Sequence, residues 1–302
     1  AVIGDYVYLV AGQVVQKDGS KSASRIVWRL KLNSLKPQGD REHNADWAQW
    51  EEIASWPDDS PPRMLPLITA QHDGFTNRLY VFGGRHFPAG TDESDLHNLK
   101  FLSDCWSFDP TSYDASQFDA ATGKYTGASP WKRLADTPVP MTAGTAVPVG
   151  PAHVIVPAYA TGQVLSDFLD SGKEMKDFDH PGFPRQAYAY HTITDTWVDF
   201  GAMPPAQVTT PAVRWDKDIM LVSGEIRPRV RTAKGWRITV KEKQINFGAI
   251  NMTVVVLYLL AMVGVGVFFM YRNKTTDEYF RGGKSIPWWA AGCSIFATML
   301  SS

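Results

Sequence analysis

The chain has 302 residues, with 30 Lys and Arg against 31 Asp and Glu and a formal net charge of −1. This charge balance excludes a protein that binds nucleic acid through a basic surface, and 44 % hydrophobic residues exclude a disordered chain. Two cysteines exclude a disulfide-rich scaffold and a cysteine-rich metal site. The chain starts without Met near a strand-like run and stops inside an apolar stretch, so we expect a fragment of a longer protein.

Residues 1–240 carry a repeated β pattern without sustained helical periodicity. An apolar run that closes on glycine occurs four times, at 7–12, 79–84, 154–162 and 219–224. Each run precedes a strand with an aromatic residue, at 26–30, 105–109, 187–191 and 236–240. The first three repeats end in a tryptophan strand that leads to a proline, at 50–57, 131–138 and 197–204. Repeated units of this kind predict the blades of a β-propeller, in which the tryptophan packs between neighbouring sheets. A β-sandwich with accidental tryptophan spacing is the alternative.

The second repeat resembles kelch repeats in its Gly83-Gly84 pair, its 106–109 strand and its closing Trp131. The resemblance implies an all-β kelch β-propeller, of which residues 1–240 supply about four blades of a six-bladed ring. About two blades are then expected before Ala1. The fourth repeat lacks its tryptophan strand and runs directly into an apolar segment. We therefore expect a cyclically permuted ring, whose missing outer strand comes from the other end.

Chemically reactive side chains concentrate after the fourth glycine run, in the segment 224–232, G-E-I-R-P-R-V-R-T. Ligands bind at propeller rims because the loops of all blades converge there. Arginine can hold a carboxylate through two hydrogen bonds, and glutamate can transfer protons. Arg85, which follows the Gly83-Gly84 turn, is a further polar candidate at the rim.

The segment 224–232 resembles the sialic acid mutarotases (N-acetylneuraminate epimerases), which are permuted kelch propellers. In them a G-E-x-x-P-G-x-R-T segment supplies an acid/base glutamate and an arginine that faces the substrate carboxylate. The resemblance implies catalytic roles for Glu225 and Arg231 and no cofactor in the propeller. Arg227 and Arg85 are expected to bind substrate because of their place at the rim. Arg229 stands where the family has glycine, a departure that bears on the loop conformation. Alternatively, these charges form a solvated salt-bridge cluster on the rim.

The span from Gln244 to Tyr271 holds no charged residue and exceeds the roughly 20 residues that cross a bilayer. We predict a transmembrane helix at 247–271, in contact with membrane lipid, after a linker at 241–246. A loop at 272–287 and an apolar helix at 288–302 follow, with Trp288 and Trp289 at the membrane interface.

Residues 279–302 resemble the sodium:solute symporter family in Y-F-x-G-G-K-S-I-P-W-W at 279–289 and in G-C-S-I-F-A-T-M-L-S-S at 292–302. In that fold the first core helix is broken at mid-membrane, where unwound carbonyls bind sodium. The resemblance implies that residues 288–302 begin this helix, that the carbonyls of Ala297 and Leu300 bind sodium, and that Ser301 lies near the substrate. The alternative is an ordinary second membrane helix with small residues for packing.

The distribution of basic residues alone would place the propeller in the cytoplasm, because residues 227–243 are more basic than residues 272–284. Long folded domains cross membranes largely regardless of charge, however. In the symporter family the loop after the first helix is cytoplasmic. We therefore expect residues 272–287 in the cytoplasm and an extracytoplasmic propeller, in a multi-pass protein of the bacterial cytoplasmic membrane.

Together, the resemblances predict a sialic acid mutarotase-like propeller joined to a sodium-dependent symporter for sialic acid or a related solute. The expected small-molecule substrate is sialic acid or a related sugar acid. A non-catalytic propeller that captures substrate or a partner protein stays open. A sensor domain on a symporter for another sugar or organic acid also stays open, because a propeller fold does not by itself determine the function of the domain.

Overall fold

The computed structural model describes residues 1–15, 19–32, 50–53, 56–88, 96–119, 121–173, 179–204, 206–240 and 247–272. The chain divides into two compact units, Ala1–Val240 and Lys241–Ser302. Strands dominate the first unit, and the described part of the second is helical. The predicted linker at 241–246 and everything from residue 273 onward lie outside the described residues, including Ala297, Leu300 and Ser301.

Among the described residues, the first two blades are four-stranded antiparallel sheets with a small hairpin inserted in each. The first blade contains β1 (Val2–Ile3), β2 (Tyr6–Val10), β3 (Gln13–Val15), β4 (Lys21–Ala23), β5 (Val27–Lys31) and β6 (Trp50–Ile53). The second contains β7 (Leu67–His72), β8 (Asn77–His86), β9 (Lys100–Phe108), β10 (Phe118–Asp119), β11 (Lys124–Tyr125) and β12 (Trp131–Leu134). The hairpins β3–β4 and β10–β11 lie outside these sheets. The four strands of each sheet therefore follow one another in chain order, as in an up-and-down blade.

The third blade is a four-stranded sheet, and the fourth has three strands within the described residues. The third contains β13 (Thr142–Val149), β14 (His153–Ala160), the helix α1 (Gln163–Asp170), β15 (Gln186–His191) and β16 (Thr196–Ala202). The fourth contains β17 (Ala212–Trp215), β18 (Asp218–Val222), the hairpin β19 (Glu225–Arg227) and β20 (Val230–Arg231), and β21 (Gly235–Thr239). Each predicted glycine run forms the second strand of its blade.

The blades are arranged around their first strands, because β13 packs against both β7 and β17. Short links carry the chain into these inner strands and are joined by backbone hydrogen bonds. Ala143 N donates to Leu65 O at 2.9 Å, and Thr209 N donates to Ala143 O at 2.8 Å. Successive sheets that turn about a shared centre in this way form a β-propeller. The predicted propeller with four blades in this chain is therefore confirmed.

Aromatic side chains fill the space between neighbouring blades. Trp131 packs on Trp56 with ring centroids 4.8 Å apart, and Trp197 meets Phe82 edge-on at 5.0 Å. These contacts agree with the role predicted for the closing tryptophans. Trp50 differs, because it is 42 % exposed on the outermost strand of its blade. Trp56 is buried between the first two blades in its place.

Glycine after the second strand is required where the inner links pass close to the backbone. A Cβ at Gly83 would lie 2.3 Å from the Met141 carbonyl oxygen, and Gly83 and Gly84 both have positive φ, +55° and +107°. Ala11 and Ser223 adopt the same left-handed conformation as Gly83, with φ of 60° and 62° before their own glycines. The backbone repeat is thus more regular than the double glycine in the sequence suggests.

A buried arginine holds this turn in place in the second blade. Arg63 is fully buried, and its guanidinium donates to Gly83 O at 2.6 Å and to Asp104 Oδ2 at 2.6 Å. Its Cζ lies 4.2 Å from the centre of the Trp56 ring. Asp104 also accepts hydrogen bonds from the Ser60 hydroxyl and the Trp106 indole. This network anchors the backbone that leads to Arg85.

The second unit contains the helix α2 (Ala249–Arg272), which is long and apolar enough to cross a membrane. Its side chains are exposed throughout. The helix lies within two residues of the predicted span 247–271 at both ends.

Candidate functional site

A cavity of about 310 Å³ lies where the inner strands begin, close to the links that contain Leu65, Ala143 and Thr209. Arg85 and Glu225, two of the predicted site residues, both line it. Aromatic and aliphatic side chains form most of the remaining wall, including Phe101 and Phe183. A concave, largely apolar site with a few convergent polar groups is typical of small-molecule binding.

Glu225 begins the β19 strand directly after Gly224 and is fixed by the link from the third blade. Glu225 N donates to Val208 O at 3.0 Å, and Val208 N donates to Glu225 O at 2.9 Å. The side chain of Glu225 is 20 % exposed. Gly224 has a φ of +112°, and a Cβ there would lie 2.7 Å from Val208 O. The glycine therefore permits the close approach that positions the carboxylate.

Arg85 occupies the corresponding place in the second blade, directly after Gly84. Its N–H donates to Met64 O at 2.9 Å, and its carbonyl accepts from Met64 N at 2.8 Å. The residue is half-buried. Arg85 and Glu225 each follow the last glycine of the run that forms the second strand of their blade. The structural repeat therefore brings a cation and a carboxylate to the same cavity.

Arg231 and Arg227 lie close to the cavity but are not among the residues that line it. Arg231 pairs with Glu225 across the β19–β20 hairpin, with Nε 3.7 Å from Oε1, and its side chain is 80 % exposed. Arg227 Nη1 lies 3.3 Å from Asp179 Oδ1. These contacts match the salt-bridge alternative for both arginines, whereas Arg85 is the arginine that lines the cavity.

Arg229, which stands where the resembled family has glycine, has a φ of 64°. The hairpin therefore has the left-handed backbone that glycine favours, even though a side chain is present. A left-handed L-residue costs about 1–2 kcal/mol. The departure from the family pattern leaves the turn in place and adds strain to it.

His180 also lines the cavity, although it was not among the sequence candidates. Gly182 N donates to its Nδ1 at 3.1 Å, and its ring centroid lies 5.2 Å from that of Phe183. Burial lowers the pKa of His180, as does the positive charge of Arg227, while Asp179 acts in the opposite direction. A single histidine in a loop has no motif around it, so only the fold shows that it lies by the cavity of Glu225.

A larger cavity of about 480 Å³ lies between the first two blades, beside Arg25, Trp56, Tyr125 and Trp131. Its lining has no histidine, and the carboxylate in it, Asp58, is fully exposed. The smaller cavity, which Glu225 lines, is therefore the candidate site. Within the described ranges, no three His, Cys, Asp or Glu side chains are grouped so as to hold a metal ion.

Comparison with known proteins gives matches to sodium symporters. The chain is 60 % identical over 57 residues to the sodium/sialic acid symporter SiaT of Proteus mirabilis (strain HI4320). It is 51 % identical over 57 residues to the sodium/sialic acid symporter NanT of Aliivibrio fischeri (strain ATCC 700601 / ES114). It is 37 % identical over 57 residues to a sodium/glucose cotransporter of Vibrio parahaemolyticus. These relatives confirm the symporter resemblance.

The matched stretches make up 18 % to 19 % of this chain. The chain spans only 10 % to 12 % of the length of these relatives. No family model matches the chain. Among solved structures, that of YjhT aligns with a TM-score of 0.49 at 17 % identity, covering 79 % of this chain and 64 % of that one.

Proposed function

We propose that the propeller interconverts the anomers of a sialic acid and that it is joined to a sodium-dependent symporter for the same class of sugar acid. The placement of Arg85 and Glu225 in one cavity carries the first part of the proposal. The 60 % identity to a sodium/sialic acid symporter over 57 residues supports the second part. An anomer-converting enzyme beside a transporter would supply the preferred form of the sugar where it is taken up.

The cavity offers the groups that ring opening of a sugar acid needs. Arg85 can hold the substrate carboxylate through two parallel hydrogen bonds. Phe101 and Phe183 offer apolar surface for the C–H face of the sugar. Glu225 takes a proton from the anomeric hydroxyl and returns it to the ring oxygen, a role worth about 10²–10⁴-fold in rate. Arg231 Nε, 3.7 Å from Glu225 Oε1, holds the carboxylate in place through an ion pair.

The enzymatic proposal is tested by NMR on N-acetylneuraminate immediately after its release by a sialidase, with the 302-residue chain in detergent. We expect faster anomer exchange than in buffer. Glu225→Gln should slow it at least 10²-fold with substrate binding retained, and Arg85→Met should weaken binding. Glu51→Gln is the control, because Glu51 pairs with Arg29 on the outside of the first blade. Unchanged exchange in Glu225→Gln would contradict the role of Glu225.

A capture domain without catalysis is the second candidate, and the ion pair between Glu225 and Arg231 favours it. In that case the carboxylate is engaged structurally and the cavity only binds the sugar acid. Saturation-transfer NMR would then show binding of N-acetylneuraminate to the same chain, while the exchange rate stays equal to that in buffer.

For the transporter part, we propose that sodium binds the carbonyls of Ala297 and Leu300 and that Ser301 contacts the substrate. Uptake of labelled N-acetylneuraminate by a protein that joins this segment to a whole symporter should require a sodium gradient. Ala297→Trp should abolish uptake by filling the ion site, and Leu300→Pro by fixing φ and removing an N–H. Ala297→Gly, which keeps the carbonyl without added bulk, is the control. Uptake driven equally well by protons alone would contradict this proposal.

We further propose that the propeller lies on the extracytoplasmic side of a bacterial cytoplasmic membrane and that additional blades complete its ring. Trp215 is 73 % exposed and Val213 is 50 % exposed on the fourth blade, and a neighbouring blade would cover such side chains. A cysteine introduced at the exposed Ser112 should react with a membrane-impermeant maleimide in intact spheroplasts. Labelling only after lysis would place the propeller in the cytoplasm.

A further inference from the structure

Ring opening of a sugar acid places demands on two oxygen atoms. The anomeric hydroxyl loses a proton and its oxygen becomes a carbonyl oxygen, while the bond between the anomeric carbon and the ring oxygen breaks. The electron pair of that bond goes to the ring oxygen, which receives the proton that Glu225 removed. Protons and electrons therefore balance without a further reactant. Negative charge develops on the ring oxygen, and a hydrogen-bond donor positioned there would stabilise the transition state.

The loop at 179–183 is attached to the hairpin that carries Glu225. Phe183 N donates to Ile226 O at 3.3 Å, one residue along from Glu225. At the start of the loop, Asp179 Oδ1 lies 3.3 Å from Arg227 Nη1 on the same β19 strand. His180 lies between these two contacts and lines the same cavity as Glu225 and Arg85. The loop and the hairpin therefore hold the imidazole and the carboxylate in a fixed relation.

The hydrogen bond to His180 Nδ1 determines which nitrogen carries the proton. Gly182 N–H donates to Nδ1 at 3.1 Å, so Nδ1 presents its lone pair. The neutral ring then carries its proton on Nε2. Burial and the charge of Arg227 lower the pKa of His180 despite the nearby Asp179, which favours the neutral ring at pH 7. His180 thus offers an N–H donor rather than a proton acceptor.

Resting on the proposed anomer exchange, we propose that His180 is a further catalytic residue, which donates a hydrogen bond from Nε2 to the ring oxygen of the sugar acid while Glu225 carries the proton. The two side chains then divide the chemistry between them. Glu225 moves the proton, and His180 stabilises the oxygen from which the carbon departs. Arg85, on the second blade, holds the carboxylate and so orients the ring between them.

Two substitutions at position 180 separate the hydrogen-bond donor from the loop contact. Asparagine can still accept from Gly182 N–H but offers no donor at the Nε2 position, whereas glutamine places an amide N–H there. With N-acetylneuraminate and the 302-residue chain in detergent, His180→Asn should slow exchange about 10²-fold with little change in KM. His180→Gln should stay within about tenfold of the unmodified chain, since it keeps a donor. His191→Asn, on β15 and outside the cavity lining, should leave exchange unchanged.

The outcomes distinguish this inference from the proposed function. An active unmodified chain with equal exchange in His180→Asn would overturn the role of His180 and leave the function in place. Equal slowing in His180→Asn and His180→Gln would show that the donor is not what matters, and would also overturn it. No acceleration by the unmodified chain, even when the additional blades that complete its ring are supplied, would refute the proposed function, and with it this inference.

Discussion

Gly224→Ala tests whether the close approach at the fourth blade positions Glu225. The new Cβ would lie 2.7 Å from Val208 O and 3.1 Å from Thr210 Cγ2, at a φ of +112° that L-residues rarely adopt. The Val208 carbonyl belongs to the backbone and accepts the Glu225 N–H, so it cannot move without disturbing that hydrogen bond. We therefore expect the β19 strand to shift away from the link.

The expected loss in the free energy of unfolding of Gly224→Ala has two contributions. A left-handed backbone at an L-residue costs about 1–2 kcal/mol. Weakening the two hydrogen bonds between Val208 and Glu225 adds about 0.5–1.5 kcal/mol for each bond. We expect a loss of about 2–5 kcal/mol in the free energy of unfolding. Gly150→Ala is the matched control, because Gly150 has a φ of +58° and no atom lies within 4 Å of its Cβ position. Only the backbone contribution applies there, so its loss should be about 1–2 kcal/mol.

The assay is urea unfolding of the 302-residue chain in detergent, followed by tryptophan fluorescence, together with the anomer-exchange rate under native conditions. Gly224→Ala should lower both stability and exchange, whereas Gly150→Ala should lower stability slightly and leave exchange intact. Equal losses of stability in the two variants, within about 0.5 kcal/mol, would refute the steric argument at Gly224.

The remaining predictions concern the buried ion pair and the hairpin. Arg63→Met should lower the free energy of unfolding by about 3–5 kcal/mol because Asp104 loses its cation, whereas Arg237→Met, at a side chain 70 % exposed, should lower it by less than about 1 kcal/mol. Burial opposes ionisation of Asp104, but the hydrogen bond and charge of Arg63 outweigh it and hold the pKa of the carboxyl below its ordinary value. Burial also lowers the pKa of Arg63, but its guanidinium stays charged in acid. The pH dependence of the stabilisation by this ion pair is therefore determined by Asp104. The stabilisation should be complete above the unfolded pKa of about 3.9 and disappear as pH falls through the lower folded pKa, so the deficit of Arg63→Met measured by urea unfolding should shrink in acid. Arg229→Gly should leave stability unchanged or raise it by up to about 1 kcal/mol in thermal unfolding, because glycine relieves the left-handed backbone while adding freedom to the unfolded chain.

The sequence predicts the second, third and outermost strands of the blades well, because glycine and tryptophan mark them. The sequence does not mark the first strands, since a segment such as Leu67–His72 contains neither glycine nor tryptophan. Trp50 shows the limit of the tryptophan signal. The structure confirms its strand, but the side chain that fills the space between the blades belongs to Trp56, six positions along the chain. Burial of a given aromatic depends on the neighbouring sheet, which a local pattern does not contain.

Within the site, Glu225 pairs with Arg231 because the two residues face each other across the β19–β20 hairpin. The sequence does not reveal which of the two faces the cavity. The structure leaves Arg231 80 % exposed and Glu225 only 20 % exposed. Arg85 and His180 reach the same cavity from two other blades. They meet there because of the order in which the blades surround the propeller centre. No single segment of the sequence contains information about that order.

In the first, second and fourth blades, the backbone of the repeat leaves one position free to vary. Ala11, Gly83 and Ser223 share a left-handed conformation, and a glycine with positive φ follows each of them. The next residue is Gln13, Arg85 or Glu225, an amide, a cation or a carboxylate. Gly84 and Gly224 accommodate an inner link, so the side chain after each of them is not needed for packing there and can vary with the ligand. A substrate cavity at this end of the propeller can therefore change its chemistry one blade at a time while the fold stays the same.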